Sequence, residues 1–190
     1  MIKVFLIKKG GEMKISVEEL ADREAIRQTI FNLARSVDRC DEELMRNCFH
    51  SDATDDHSSF RGSADEFIKW VMPVLKNMER TQHTIGQVIV DLDGDTARTE
   101  SYFIAYHRIF NENIPGDMFA CGRYLDWFER RDGDWKILHR HALYDWNKND
   151  AATGAWDEEP AASSILRGDR SPNDSTYTMG GPGSPPKINK

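Results

Sequence analysis

Cysteine is scarce: Cys40, Cys48 and Cys121 are the only three in 190 residues, and no two form a CxxC pair. An odd, unpatterned set excludes a disulfide framework and fits reduced thiols in a cytoplasmic setting, the compartment expected here. Long apolar runs are missing too. The opening stretch holds only four consecutive apolar residues, Val4 to Ile7, far short of a membrane span or signal-peptide core, so residues 1–15 read as a leader or an extra edge strand. Basic charge is in deficit, 25 Lys and Arg against 32 Asp and Glu for a net charge of −7. With no basic stripe to neutralise phosphates, a nucleic-acid partner is not expected, and an uncharged or weakly polar small ligand is easier to accommodate. There is no GxGxxG, GxxxxGK(S/T) or GxSxG, which leaves nucleotide-binding and α/β-hydrolase readings without support.

What is present is periodic. Ser16-Val-Glu-Glu19 has capping-box spacing, and Ile26, Ile30, Leu33 and Val37 follow on one helical face to about Arg39, with Asp22 a second N-cap candidate that would break the segment. Asp41 is placed to cap a short helix carrying Leu44 and Cys48, and His50 to His57 reads as a strand or extended loop. Ser63 to Glu66 is another capping box, opening a helix with Phe67, Val71, Leu75 and Met78 inward and a kink expected at Pro73. From His83 the pattern turns to strands: 85–92 and 97–110 about the turn Asp93-Gly-Asp95, a loop over 111–117, then 118–131 and 135–146 about Asp132-Gly133. Helices first and a four-strand meander afterwards make an α+β domain over 16–147. Beyond it, residues 148–190 form a Pro/Gly-rich extension holding five of the seven prolines, expected to be disordered or laid across another subunit. Its Arg167-Gly-Asp169 triplet reads as a chance match to an adhesion motif.

Several residue types suit chemistry. Asp38 lies in the last turn of the first helix at the margin of its apolar stripe, where the helix dipole disfavours an anion; it either pairs with a donor or is a solvated or capping residue. His83 opens the first hairpin strand, and an imidazole held by a carboxylate is a general base near neutral pH; unpaired, it is a structural histidine. Arg140, between His139 and His141, stabilises a developing oxyanion if it points inward and is a surface or ion-paired residue if it does not. The run His50, Asp52, Asp55, Asp56 and His57 is dense in ligand types, but alternation scatters it over both faces, so no metal site is expected. Tyr102 and Tyr106 alternate with Phe103 and His107 along one strand, and either set can line a pocket.

Taken together, ADREAI at 21–26, VD at 37–38, CFHSDA at 48–53, TQHTI at 81–85 and FERRDGDWKI at 128–137 resemble the SnoaL-like branch of the NTF2-like superfamily. The tail RGDRSPNDSTY at 167–177 looks like tails in that branch. The resemblance implies an NTF2-like cone, a curved antiparallel sheet with about three N-terminal helices enclosing a hydrophobic pocket. Relatives of this shape include hexachlorocyclohexane dehydrochlorinase, scytalone dehydratase, bile-acid 7α-dehydratase and polyketide cyclases. Their base and its supporting carboxylate correspond to His83 and Asp38, and the dehydrochlorinase's assisting arginine to Arg140. Asp55 and His57 fall at the pocket rim. Leu33 stands where those enzymes carry a lysine or tyrosine beside the leaving group, and Gln87 where an asparagine is common.

The expectation is therefore a cofactor-independent lyase or isomerase, dehydratase-like, in which His83 takes a proton from a cyclic, largely apolar substrate. Asp38 orients the base, Arg140 or a tyrosine answers the negative charge, and Asp55, His57, Tyr102 and Tyr106 contact the ligand. A polyketide cyclase-like activity is one alternative. The other is a non-catalytic binding or assembly module, comparable to the small subunits of ring-hydroxylating dioxygenases. A homo-oligomer is expected from large outer-face residues, Trp127, Phe128, Tyr144 and Trp146.

Overall fold

Helix α1, Val17–Arg39, starts where the Ser16 hydroxyl accepts the Glu19 amide N–H at 3.0 Å and stops where Cys40 takes a left-handed conformation. It is unbroken at Asp22, because that carboxylate is used elsewhere: it accepts the Trp135 indole N–H and an Arg130 N–H, each at 2.8 Å. Asp41 caps α2, Glu42–Asn47. The Ser63/Glu66 capping box opens α3, Ala64–Asn77, which continues through Pro73, so the proline costs a backbone hydrogen bond without ending the helix. The computed structural model describes residues 15–111, 114–152, 154 and 158–179. The expected N-terminal leader or edge strand lies outside them, apart from its last residue.

Six strands form one sheet: β1 Phe49–Asp56, β2 Arg61–Ser63, β3 Arg80–Asp93, β4 Thr96–Asn111, β5 Ile114–Arg131 and β6 Asp134–Ala151. The meander β3 to β6 is antiparallel throughout, its two-residue turns placed at Gly94 and Gly133 with positive φ. The antiparallel cone is nevertheless overturned. β1 pairs β6 in parallel, and the order β2-β1-β6-β5-β4-β3 is open, with β2 and β3 as edges and no ladder joining them. The sheet is mixed and is not curled into a cone. β1 reaches its neighbour through α3 and the whole meander, so no hairpin dictates its direction. The loop expected over 111–117 is also mostly strand, since β4 and β5 pair as far as Asn111 with Ile114.

Two irregularities place the inner face. At Gly122 the β5–β6 register shifts, and a Cβ there would meet the Leu143 carbonyl oxygen at 1.9 Å, so only glycine fits. Farther along, Trp127 faces His139 while Phe128 faces Ile137, so β6 carries Leu138 as an extra residue. This bulge puts Arg140 on the same side as Ile137. The inner face packs under the helices through Ile26, Ile30, Leu33, Phe67, Ile68, Phe128 and Ile137, all buried. Among the described residues no helix is long and apolar enough to cross a membrane.

Candidate functional site

Asp38 sits two residues before α1 gives way to its left-handed cap, and β3 brings His83 beneath it. The Asp38 carboxylate is used twice on one residue: Oδ1 is 2.8 Å from His83 Nδ1, and Oδ2 accepts the His83 backbone N–H at 2.8 Å. The two contacts fix both the strand and the ring. Both side chains are nearly buried, at 12% and 8% exposure, and both line a cavity of about 580 Å3. With Nδ1 committed to a carboxylate, the ring nitrogen left for a ligand is Nε2. Phe31 and Ala34 of α1, Ile85 of β3 and Tyr106 of β4 complete much of the wall.

His107 stands edge-on to His83, ring centroids 5.5 Å apart. It is buried, and its Nδ1 has no hydrogen-bond partner. Burial, reinforced by the neighbouring His83, pushes its pKa down to about 4, so it is neutral at pH 7. Neither Cys40 nor Cys48 lines this cavity, and burial pushes Cys48 up to about 12 and raises Cys40.

The remaining expected residues fall into other places. Arg140 is buried on the inner face, its Nε and Nη2 bonded to Asp126 at 2.7 and 2.8 Å and its guanidinium 4.0 Å above the Tyr124 ring. Asp55 and His57 form a second His–Asp pair, with His57 stacked on Phe67 and one Asp55 oxygen buried without a donor. His57 also leans on Tyr124, so Asp55, His57, Tyr124, Asp126 and Arg140 make one polar group, and none of the five lines the cavity at His83. Of the tyrosines, Tyr106 lines the cavity and donates to Asp117 at 2.7 Å, whereas Tyr102 is exposed on the outer face. The dense run on β1 is dispersed: His50 contacts the Glu129 carbonyl, Asp52 pairs with Arg131, and Asp56 pairs with Arg61 and His141.

Sequence reasoning missed one wall of the cavity. Part of the extension folds back on its own chain instead of lying free or across a partner. Ser171 donates to the Arg39 carbonyl at 2.9 Å, and Arg170 donates to the carbonyls of Leu75 and Met78 at 2.8 and 2.9 Å. Arg170 thereby adds a second donor to the Leu75 carbonyl, which already accepts the Met78 N–H, and reaches the carbonyl of the C-cap Met78 itself. Tyr177 donates to Asp41 at 2.8 Å, and Asp174 faces Arg39 at 3.6 Å. The Thr176 hydroxyl and the amides of Asp169 and Thr176 hold the Asp174 carboxyl well below the usual carboxylate range. The Arg167-Gly-Asp169 triplet lines the cavity as a result. The likeness of 167–177 to tails of similar proteins was the available signal; proline and glycine content pointed the other way.

Residues 18–141 match the family described as the SnoaL-like domain. Rv2910c, an uncharacterized protein of Mycobacterium tuberculosis, is 28% identical over 130 residues, covering 66% of this chain and 87% of its own length. Among solved structures, the hexachlorocyclohexane dehydrochlorinase LinA-type3 of Novosphingobium barchaimii superposes with a TM-score of 0.64 at 17% identity, over 73% of this chain and 94% of that one. A candidate scytalone dehydratase of Novosphingobium aromaticivorans gives 0.62 at 21% identity, over 71% and 91%. At these identities the structural likeness carries the fold.

Proposed function

The chain belongs to the SnoaL-like family, and from that premise we propose that it is a cofactor-independent lyase or isomerase acting on a cyclic, largely apolar molecule. The supporting observation is the doubly anchored His83 on the wall of a cavity, Nδ1 held at 2.8 Å by Asp38. In this reading Asp38 accepts the Nδ1 proton, and the Nε2 lone pair removes a proton from a carbon beside a carbonyl. The C–H electron pair forms the new double bond. In an elimination the β C–O bond breaks and the departing oxygen is protonated; in an isomerisation the proton returns to a different carbon. Arg140 is bonded to Asp126 outside this cavity, so the part of answering negative charge on the substrate falls to a polar group that does line it, Tyr106.

The test is deuterium exchange and water loss from cyclic β-hydroxy ketones and their unsaturated isomers in D2O, followed by NMR. Protein-dependent incorporation at the α carbon is expected, with loss in both His83→Ala and Asp38→Asn. The double variant should be little slower than either single one, because residues acting as a unit are not additive. Undiminished turnover in His83→Ala would refute the dyad.

A second reading, an assembly module without chemistry, is favoured by one observation: Tyr102, Ile104, Trp127 and Trp146 are all at least 40% exposed. Phe128 does not join them, since adjacent residues of a strand face opposite ways and it lies in the core. Both readings imply that this face is covered by association. Light scattering at micromolar concentration should give a mass above 21.8 kDa, and a strict monomer would refute the association.

A further inference from the structure

The charge of this cavity is opposite to that of the chain. Five arginines line it, Arg35, Arg39, Arg80, Arg167 and Arg170, against two carboxylates, Asp38 and Asp169, while the whole chain carries −7. Pairing sharpens the contrast. Arg23, Arg27, Arg46, Arg61, Arg98, Arg108, Arg123, Arg130, Arg131 and Arg140 each have a carboxylate within 4.0 Å. Among the described residues, arginines with no such carboxylate are Arg35, Arg80 and Arg170, and all three line this cavity.

Part of this positive charge has structural work. Arg170 is taken by the carbonyls of Leu75 and Met78, and Arg39 faces Asp174 at 3.6 Å, so these two hold the C-terminal segment in place. Arg35 and Arg80 have no comparable task. Arg35 lies 5.4 Å from the Tyr177 ring, and Arg80 donates only to the neighbouring Glu79 carbonyl at 3.0 Å. One comes from α1, three residues before Asp38; the other from the edge strand β3, three residues before His83. They stand on two walls of the cavity that holds the dyad.

A chain that matches eleven of its described arginines to carboxylates, sets Arg170 on backbone carbonyls and leaves Arg35 and Arg80 unmatched around one cavity has placed a counter-charge to be brought by the ligand. Guanidinium groups recognise carboxylate and phosphate through paired N–H donors, and a partly enclosed site strengthens the attraction. The geometry points to a substrate that carries an anionic group, a carboxylate or a phosphate. Arg35 and Arg80 receive it while the ring lies against Phe31, Ala34 and Ile85 near His83. This rests on the reading of the Asp38–His83 cavity as the substrate site, and it replaces the neutral ligand that the acidic composition suggested.

Calorimetric titration of the full chain with 1-naphthoate, 1-naphthyl phosphate and neutral methyl 1-naphthoate tests it. At low salt, at least one anion should bind about tenfold or more tighter than the ester, the advantage shrinking as NaCl is raised. The tighter anion identifies the group as carboxylate or phosphate. Arg35→Gln/Arg80→Gln should bring the three ligands to within about threefold, and Arg35→Lys/Arg80→Lys should keep part of the preference. His83→Ala should keep it whole, so loss of the dyad mechanism and loss of the anion site give different results. Equal or tighter binding of the ester, no saturable binding of either anion below about 10 mM, or an undiminished preference in the glutamine variant would each overturn the inference.

Discussion

His107 should make the protein lose stability in acid over a window set by its burial. In the native state its pKa is pushed down from 6.5 to about 4, whereas an exposed imidazole in the unfolded chain titrates near 6.5. Between those values the unfolded chain binds a proton that the folded one refuses, so stability falls as pH is lowered through the window and levels off below about 4. Linkage over that shift gives about 2 kcal/mol lost by pH 5 and about 3 kcal/mol by pH 4, relative to pH 7.5. The side chain is nearly buried and its Nδ1 is unbonded, so solvent screening does not reduce the figure greatly. The perturbation is His107→Gln, which keeps a polar planar group and cannot titrate. Urea unfolding of both proteins at pH 7.5, 6 and 5 isolates this group together with its coupling to His83, because carboxylates and histidines distant from it cancel in the difference. The variant should gain about 2 kcal/mol on the parent between pH 7.5 and 5. Parallel stability profiles, within about 0.5 kcal/mol, would refute the argument and mean that His107 takes up its proton in the folded state.

Two further predictions concern the inner face. Gly122→Ala should destabilise by about 3 kcal/mol or prevent folding, because the added carbon would sit 1.9 Å from the Leu143 carbonyl oxygen and the obstacle is backbone; thermal unfolding reads it, and an unchanged midpoint would refute the close approach. Asp126→Asn should cost about 3–5 kcal/mol in urea unfolding by leaving the Arg140 guanidinium buried without its counter-charge, and Asp126→Leu/Arg140→Met should cost markedly less.

The parts of this fold written in local chemistry were readable from the chain. Caps at Ser16, Asp41 and Ser63, turns at Gly94 and Gly133, and alternation along four strands all act within a few residues, and each is where spacing placed it. What escaped depends on distant partners. Asp22 is a good N-cap by type, but Trp135 and Arg130 claim its carboxylate from more than a hundred residues away, so α1 runs on. The side taken by Arg140 turns on one extra residue at Leu138, which no pattern in β6 announces, since a bulge is a property of two strands together. The parallel pairing of β1 with β6 is likewise invisible in either segment alone.

The site divides along the same line. Asp38 stood out because a carboxylate at a helix C-terminus is locally unfavourable and needs a partner, and that partner is His83. The arginines gave no such signal: on α1 or β3 each is an ordinary polar residue of a half-exposed element. Their meaning comes from a negative fact spread over the described residues, that eleven other arginines have found carboxylates and these two have not. The same contrast separates the two His–Asp pairs. Asp55 and His57 stand two residues apart at the end of β1 beside Arg140 and its Asp126 counter-ion, in a group with two carboxylates to one guanidinium. Asp38 and His83 are drawn from two elements onto a wall where positive charge is in excess. A ligand with a negative group completes the second arrangement and adds nothing to the first, so the cavity at His83 is the place where bound charge and proton transfer can meet.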